Sequence, residues 1–205
     1  MKKNCPGNPF CDSLDPETRK ILCKHATISF QMPKQIQTEH SDYQLEIIAK
    51  GVLVKYTLYE DGSQESIEVL GEGDIVNEHL LLWGNPSLKS SPLMVGPNHT
   101  DFQTMALTKV TKCIYPIEVI RTLFDENKPF SQTLLQNLAN HLLKLQKNVM
   151  KARTLGGIEK IEITYRVLEN LDVDMKLITQ EDLALIAGVS RNTVVRALKK
   201  IHQET

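Results

Sequence analysis

The sequence predicts an α+β fold: an antiparallel β-roll, then a long helix with an apolar seam, then a C-terminal helix-turn-helix. Three observations carry this. From about Ser29 to Tyr115, short runs rich in β-branched and aromatic residues are cut by turn signals. From about Glu118 to Arg153, leucines recur at helical spacing. Near the end, "ALIAGVSRNTVVRAL" (Ala184 to Leu198) reads as two short helices around a glycine turn. The 205 residues are enough to bury a core. They divide into residues 1–117 (tail and roll), 118–155 (long-helix region) and 156–205 (helix-turn-helix unit).

In the roll, "YQLEIIAKGVLVKYTLYEDGSQESIEVLGEGDIV" predicts four strands. They are separated by Gly51, by Asp61-Gly62 and by the Gly71 to Asp74 turn. Asp-Gly between two such runs is a hairpin signal, because its turn needs positive φ. Val52, Val54, Tyr56 and Leu58 alternate onto one face. The stretch from Asn85 to His99, with Pro86, Pro92, Gly96 and Pro97, predicts a loop.

In "FSQTLLQNLANHLLKLQKNVMKAR", Leu134, Leu138, Leu142, Leu145 and Val149 are spaced 4, 4, 3 and 4 apart. Leu135, Ala139, Leu142 and Gln146 widen that stripe. A near-heptad seam predicts packing against another helix, in the same chain or a second copy. The plainer alternative lays the helix on its own roll. Gly156-Gly157 ends the helix and offers a hinge. Ile158, Ile161, Tyr165, Leu168 and Leu171 then share one helical face until "DVDM" breaks the run.

Thr179 and Asp182 have capping-box spacing, flanked by Ile178 and Leu183 as a hydrophobic staple. Gly188 supplies the turn, and Ser190 caps "RNTVVRALKKI". Val194, Leu198 and Ile201 should face inward, and Ala184 and Ala187 are small enough for close helix approach. Arg191, Asn192, Val195, Arg196 and Lys199 should face outward, with Ser190, Thr193 and Lys200 beside them. Arg pairs with guanine O6 and N7, Asn with adenine N6 and N7, and Val195 suits a thymine methyl. Lys199 and Lys200 suit phosphates. The alternative is an ordinary helical hairpin with a solvated basic face. Residues 141–205 hold 11 Lys+Arg against 8 Asp+Glu (+3), and residues 1–140 hold 13 against 17 (−4). That polarity suits a polyanion partner at the C-terminal end.

No apolar run approaches a membrane span. "MKKNCPGNPFC" lacks the apolar stretch of a secretory or lipoprotein leader. The expectation is a cytoplasmic protein whose Cys5, Cys11, Cys23 and Cys113 are reduced at rest. His25, His40, His79, His99, His141 and His202 are scattered, with no metal-ligand spacing. No nucleophile elbow, phosphate-cradling loop or HExxH motif is present, so catalysis is not expected.

This succession of roll, seamed helix and "GVSRNTVVRAL" resembles the CRP/FNR family of bacterial transcription regulators, over nearly the whole chain. Gly51, Asp61-Gly62 and Gly71-x-Gly73-Asp74 stand at that family's turns. The resemblance implies a roll of the cyclic-nucleotide-binding type and a homodimer formed through Leu134, Leu138, Leu142, Leu145 and Val149. It also implies recognition of a palindromic double-stranded DNA site and contact with RNA polymerase. Arg191, Asn192 and Arg196 become the base readers. Many relatives carry Glu at the position of Asn192, so the operator does not transfer. Relatives also continue into a β-hairpin wing, whereas this chain stops at Thr205; it is either wingless or shortened.

Cyclic AMP is not the expected effector. A buried cyclic phosphate needs a cation such as Arg, yet no arginine lies between Arg19 and Arg121, and Asn77 replaces the family's phosphate-turn glycine. Cys5-x5-Cys11 with Cys113 resembles three of the four cluster ligands of the oxygen-sensing FNR branch. Cys23 does not stand at the missing position and reads better as a buried residue; Asp12 could donate an oxygen. The same cysteines resemble a reversible disulfide pairing in FNR-like proteins of Gram-positive bacteria. An uncharged small molecule in the roll, or no effector at all, stays open beside these readings.

Overall fold

The computed structural model describes residues 6–38, 44–59, 61–81 and 102–201. Two short helices, α1 (Pro9–Asp12) and α2 (Pro16–His25), precede the strands. Each begins on proline behind a capping side chain, Asn8 and Asp15. Among the described residues seven strands follow: β1 (Thr27–Gln31), β2 (Ile36–Thr38), β3 (Gln44–Lys50), β4 (Leu53–Leu58), β5 (Gln64–Leu70), β6 (Phe102–Ala106) and β7 (Val110–Pro116). They form two antiparallel sheets, ordered β1-β7-β3 and β2-β6-β4-β5.

The turns fall where expected. Gly51 and Gly62 both adopt positive φ. A Cβ on Gly51 would lie 2.5 Å from the Lys109 carbonyl oxygen, so glycine is required there on two counts. The strand expected after Asp74 shrinks to an isolated bridge between Ile75 and Ile47. Backbone bonds join Gly73, Asp74 and Val76 to Ile48 and Glu46, and Asn77 continues the contact by its side chain: its Oδ1 accepts from the Glu46 N–H and its Nδ2 donates to the Gln44 carbonyl. The loop expected over 85–99 lies outside the described residues.

The sheets face each other, and helices cover the outer faces of β3 and β7 on one side and of β4 and β6 on the other. The outer face of β3 and β7 packs under the helices, joining Leu45, Ile47, Cys113 and Tyr115 to Phe10, Leu22, Ile120, Phe130 and Leu134. Between the sheets, Ile48, Leu53, Leu70, Val76, Ala106 and Val110 form an apolar centre. The outer face of β4 and β6 (Val54, Tyr56, Met105, with Leu107) packs on the C-terminal helices through Ile161, Leu168, Leu183, Val194 and Ala197. One face of β4 therefore positions the C-terminal unit.

The expected helix from Glu118 to Arg153 is two helices, α3 (Ile117–Glu126) and α4 (Lys128–Thr154). Asn127 separates them, its side chain accepting from the Phe130 N–H, and Pro129 follows inside the first turn. Beyond lie α5 (Gly157–Asn170), α6 (Gln180–Ala187) and α7 (Arg191–Ile201). No helix among the described residues is long and apolar enough to cross a membrane.

Gly156-Gly157 departs from a simple hinge. Glu159 accepts from the Gly156 N–H at 2.7 Å, fastening the start of α5. A Cβ on Gly157 would stand 2.8 Å from Thr193 Cγ2, so this glycine lets α5 meet α7.

Candidate functional site

The helix-turn-helix is built by local chemistry. The Asp182 N–H donates to Thr179 Oγ1 at 3.1 Å, and Asp182 Oδ2 accepts from the Thr179 N–H at 2.7 Å. Gly188 closes α6 in the left-handed region, φ +62°. Ser190 Oγ accepts from the Thr193 N–H at 3.3 Å and so caps α7. Val194 and Ala197 are fully buried, and Leu198 and Ile201 are half-buried. Ala197 is a core position that sequence reading missed.

The opposite side of α7 is open. Ser190, Arg191, Asn192, Arg196, Lys199 and Lys200 are exposed, while Thr193 and Val195 are half-buried. Arg191 Nε lies 2.9 Å from Glu181 Oε1, in a pair more than 60% exposed on both sides. Arg196 Nη2 donates to Thr193 Oγ1 at 3.4 Å, and Lys200 Nζ meets Glu162 Oε1 of α5 at 3.0 Å. Such contacts at the surface are exchangeable for phosphate or base contacts at little cost.

The unit is held on its own roll by an ion pair as well as by apolar contact. Lys34, in the turn after β1, pairs with Asp182 Oδ2, the carboxylate that also completes the α6 cap. Burial pushes the Asp182 carboxyl up, but hydrogen bonds from Lys34 and Thr179 outweigh it and hold the group below its ordinary value. The sequence carried no sign of this partner 148 positions away.

On α4 the expected seam divides. Leu134 is 1% exposed inside the chain's own core, and Leu138 packs half-buried against the same core. Leu145 is half-buried. Leu134 is therefore removed from the interface set, because its side chain is already satisfied at home. Leu135, Leu142 and Val149, seven residues apart, are 53%, 57% and 50% exposed, flanked by Leu143 and Met150.

Cys11, Cys23 and Cys113 are buried thiols; Cys5 lies outside the described residues. Cys11 Sγ is 3.5 Å from Tyr115 Oη, and Asn8 Nδ2 is 3.9 Å from Cys113 Sγ. Burial first, then the two neighbouring thiols, push the Tyr115 hydroxyl up, so it stays protonated. Cys11 and Cys113 thus share one phenol, whereas Cys23 is a buried residue of α2. Among the described residues, no group of three metal-ligating atoms includes a cysteine. Two thiols fall short of an iron–sulfur ligand set, so these residues alone do not fit that cofactor.

The interior between the sheets has a charged end that sequence reading missed. Lys112 Nζ donates to Gln37 Oε1 at 2.6 Å and Glu46 Oε2 at 2.7 Å. Lys55 Nζ donates to the Val76 carbonyl at 2.8 Å and stands 4.0 Å from Glu78 Oε2. His141 of α4 reaches in to meet Glu68 Oε2 at 2.6 Å. The Glu68 hydrogen bond holds His141 above the ordinary imidazole range, against the opposing effect of burial. Both interior lysines are thus engaged by protein oxygens, which leaves them poorly placed for a cyclic phosphate.

No family profile matches the chain, and no curated protein matches it. Its fold is shared with solved bacterial regulators. The c-di-GMP-responsive global regulator CLP of Xanthomonas campestris is 16% identical, with 93% of each chain covered and a TM-score of 0.65. FixK2 of Bradyrhizobium japonicum is 13% identical, with 87% of this chain and 85% of that one covered, again at 0.65. A CRP/FNR-family transcriptional regulator of Thermus thermophilus is 13% identical, with 87% of each chain covered, at 0.65. The roll and helical unit expected from the sequence are therefore a fold shared with these solved structures.

Proposed function

We propose that the protein is a sequence-specific DNA-binding transcription regulator acting as a homodimer. The observation that carries this reading is the two-sided α7. Its Val194 and Ala197 side is buried, and its Arg191, Asn192, Arg196 and Lys199 side is open, on a helix capped at its start by Ser190. Arg191, Asn192 and Arg196 read bases in the major groove, and Lys199 and Lys200 anchor phosphates. The exposed Leu135, Leu142 and Val149 row pairs α4 with its copy, so that two α7 helices meet successive grooves about one helical turn apart. The shared fold with regulators is consistent with the reading.

The thiols of Cys11 and Cys113 supply the signal in this proposal. What supports it is their convergence on Tyr115, at the junction of α1 and the outer face of β7. A two-electron oxidant that joined two of the protein's thiols would redraw that junction, and the helices packed on it would shift.

The test starts from a random duplex pool. Enrichment of a two-fold palindrome whose binding is lost on Arg191→Glu with Arg196→Glu is the expected result. Failure to enrich any sequence, or binding indifferent to the charge reversal, overturns the reading.

A further inference from the structure

Glu68, Glu78 and His141 come from β5, from the segment after it and from the middle of α4, yet one ligand atom of each lies within 4.8 Å of the other two. Glu68 is 4% and His141 8% exposed. Two carboxylates are thus held together with little water to separate their charges, a costly arrangement unless cations answer it. The ammonium that faces them is Lys55, and the His141 imidazole hydrogen-bonds Glu68, a proton that an entering ion would displace to solvent. Lys55 spends one hydrogen bond on the Val76 carbonyl, and its 4.0 Å approach to Glu78 is too long for a hydrogen bond. Glu78 Oε2 is buried and has no hydrogen-bond partner among the described residues. An acceptor left this way beside a second carboxylate and an imidazole nitrogen is the donor set of a metal centre with one bond unmade.

We propose that Glu68 Oε2, Glu78 Oε2 and His141 Nε2 bind a divalent transition-metal ion that fastens α4 to the roll. One imidazole with two carboxylates suits zinc, manganese, iron(II) or cobalt(II), rather than the all-oxygen sets of calcium and magnesium or the thiolates preferred by copper(I). Metal–ligand bonds of about 2.0–2.2 Å put neighbouring ligand atoms roughly 3 Å or more apart. The 2.6 Å contact between His141 and Glu68 therefore opens by a few tenths of an ångström as the ion enters, and Glu78 closes in from within 4.8 Å. Water completes the coordination. Lys55 opposes the ion, so the affinity reflects two carboxylates against one ammonium. Because His141 sits on the same helix as the exposed Leu142 row, occupancy fixes how that row is presented.

The experiment uses the full chain, reduced and stripped of metal by chelator. Cobalt(II) and zinc(II) are titrated by equilibrium dialysis, with the cobalt absorption spectrum recorded. The expected result is one ion per chain with a nitrogen–oxygen cobalt spectrum. Glu78→Gln and His141→Gln, both checked for folding by circular dichroism, each weaken binding by about 10-fold or more. Cys11→Ser with Cys113→Ser leaves binding unchanged. No binding at large molar excess overturns the proposal. So does binding indifferent to Glu78→Gln, or a thiolate charge-transfer band that disappears with the cysteines. None of these outcomes bears on DNA recognition, so the two proposals fail separately.

Discussion

Gly157 leaves no room for a side chain beside Thr193: a single added methyl at position 157 would sit 2.8 Å from Thr193 Cγ2. The first turn of α5 is thereby pressed against the first turn of the helix that presents Arg191, Asn192 and Arg196. On an open helix, Gly→Ala is stabilising by roughly 0.4–1 kcal/mol. Here the β-branched Thr193 cannot swing its methyl away freely, and overpacking of this kind costs about 1–3 kcal/mol. Gly157→Ala is expected to lower the melting temperature, and Thr193→Ser, which deletes Cγ2 and keeps the hydroxyl, is expected to rescue it. A double-mutant cycle by thermal melting measures the coupling. Independent effects of the two substitutions would contradict the contact.

Asp182 makes the C-terminal unit sensitive to acid. Its carboxyl is held below its ordinary value by Lys34 and Thr179, against the opposing push of burial. A carboxyl depressed in the folded state stabilises the fold at pH values above its unfolded pKa, about 3.9. That contribution fades as pH falls from there through the lower folded value. Urea midpoints measured by circular dichroism should therefore drop between pH 5 and the acid limit, and less so in Asp182→Ala. At pH 7, Asp182→Ala should cost about 2 kcal/mol, from the lost cap and the lost ion pair together. An unchanged acid profile in the variant would remove Asp182 from the account.

How far the sequence could be read follows from the range of the interactions involved. Gly62, Gly188, and the Thr179–Asp182 cap are satisfied within a few residues, so their signals are complete locally. The long helix is different. Leu134, Leu138, Leu142 and Leu145 run continuously along it, but two stripes are interleaved. Leu134, Leu138 and His141 face the home chain, and Leu135, Leu142 and Val149 do not. Periodicity reports that a face is apolar; it does not report what covers it. Lys55 and Glu68 were illegible for a related reason. They alternate with Val54, Tyr56 and Val69, so a single strand's pattern places them in water. The roll closes over them, and both faces of β4 are buried.

The division of α4 separates folding from assembly. Leu142 is 57% exposed and Leu134 1%. Leu142→Glu should leave the monomer's thermal stability nearly unchanged and shift sedimentation from dimer to monomer, since a charge in a heptad seam opposes pairing. Leu134→Ala should do the reverse, lowering stability by about 2–5 kcal/mol through the cavity it leaves. A monomeric wild type would refute the seam as an interface and leave the Leu134 result standing.

Burial of the described cysteines makes the thiol proposal quantitative. Cys11, Cys23 and Cys113 are 2%, 6% and 0% exposed. A water-borne thiol reagent reaches them only when the structure opens. In the native protein, fast labelling should therefore spare Cys11, Cys23 and Cys113, and these three thiols should react only after denaturation. Tyr115→Phe removes the hydroxyl beside Cys11 Sγ at a cost of about 1 kcal/mol, the value of one buried hydrogen bond. It should make Cys11 the first of the three to react. Mild oxidation followed by non-reducing peptide mapping then tests the signal. A link between Cys113 and either Cys11 or Cys5, accompanied by a change in DNA affinity that Cys113→Ser abolishes, is the expected outcome. Cys113 is the necessary partner because it is anchored on β7 at the centre of the outer face, where movement is transmitted to the packed helices. Oxidation that consumes no thiols, or consumes them with DNA affinity untouched, would leave Cys11 and Cys113 as core residues that happen to meet at a tyrosine.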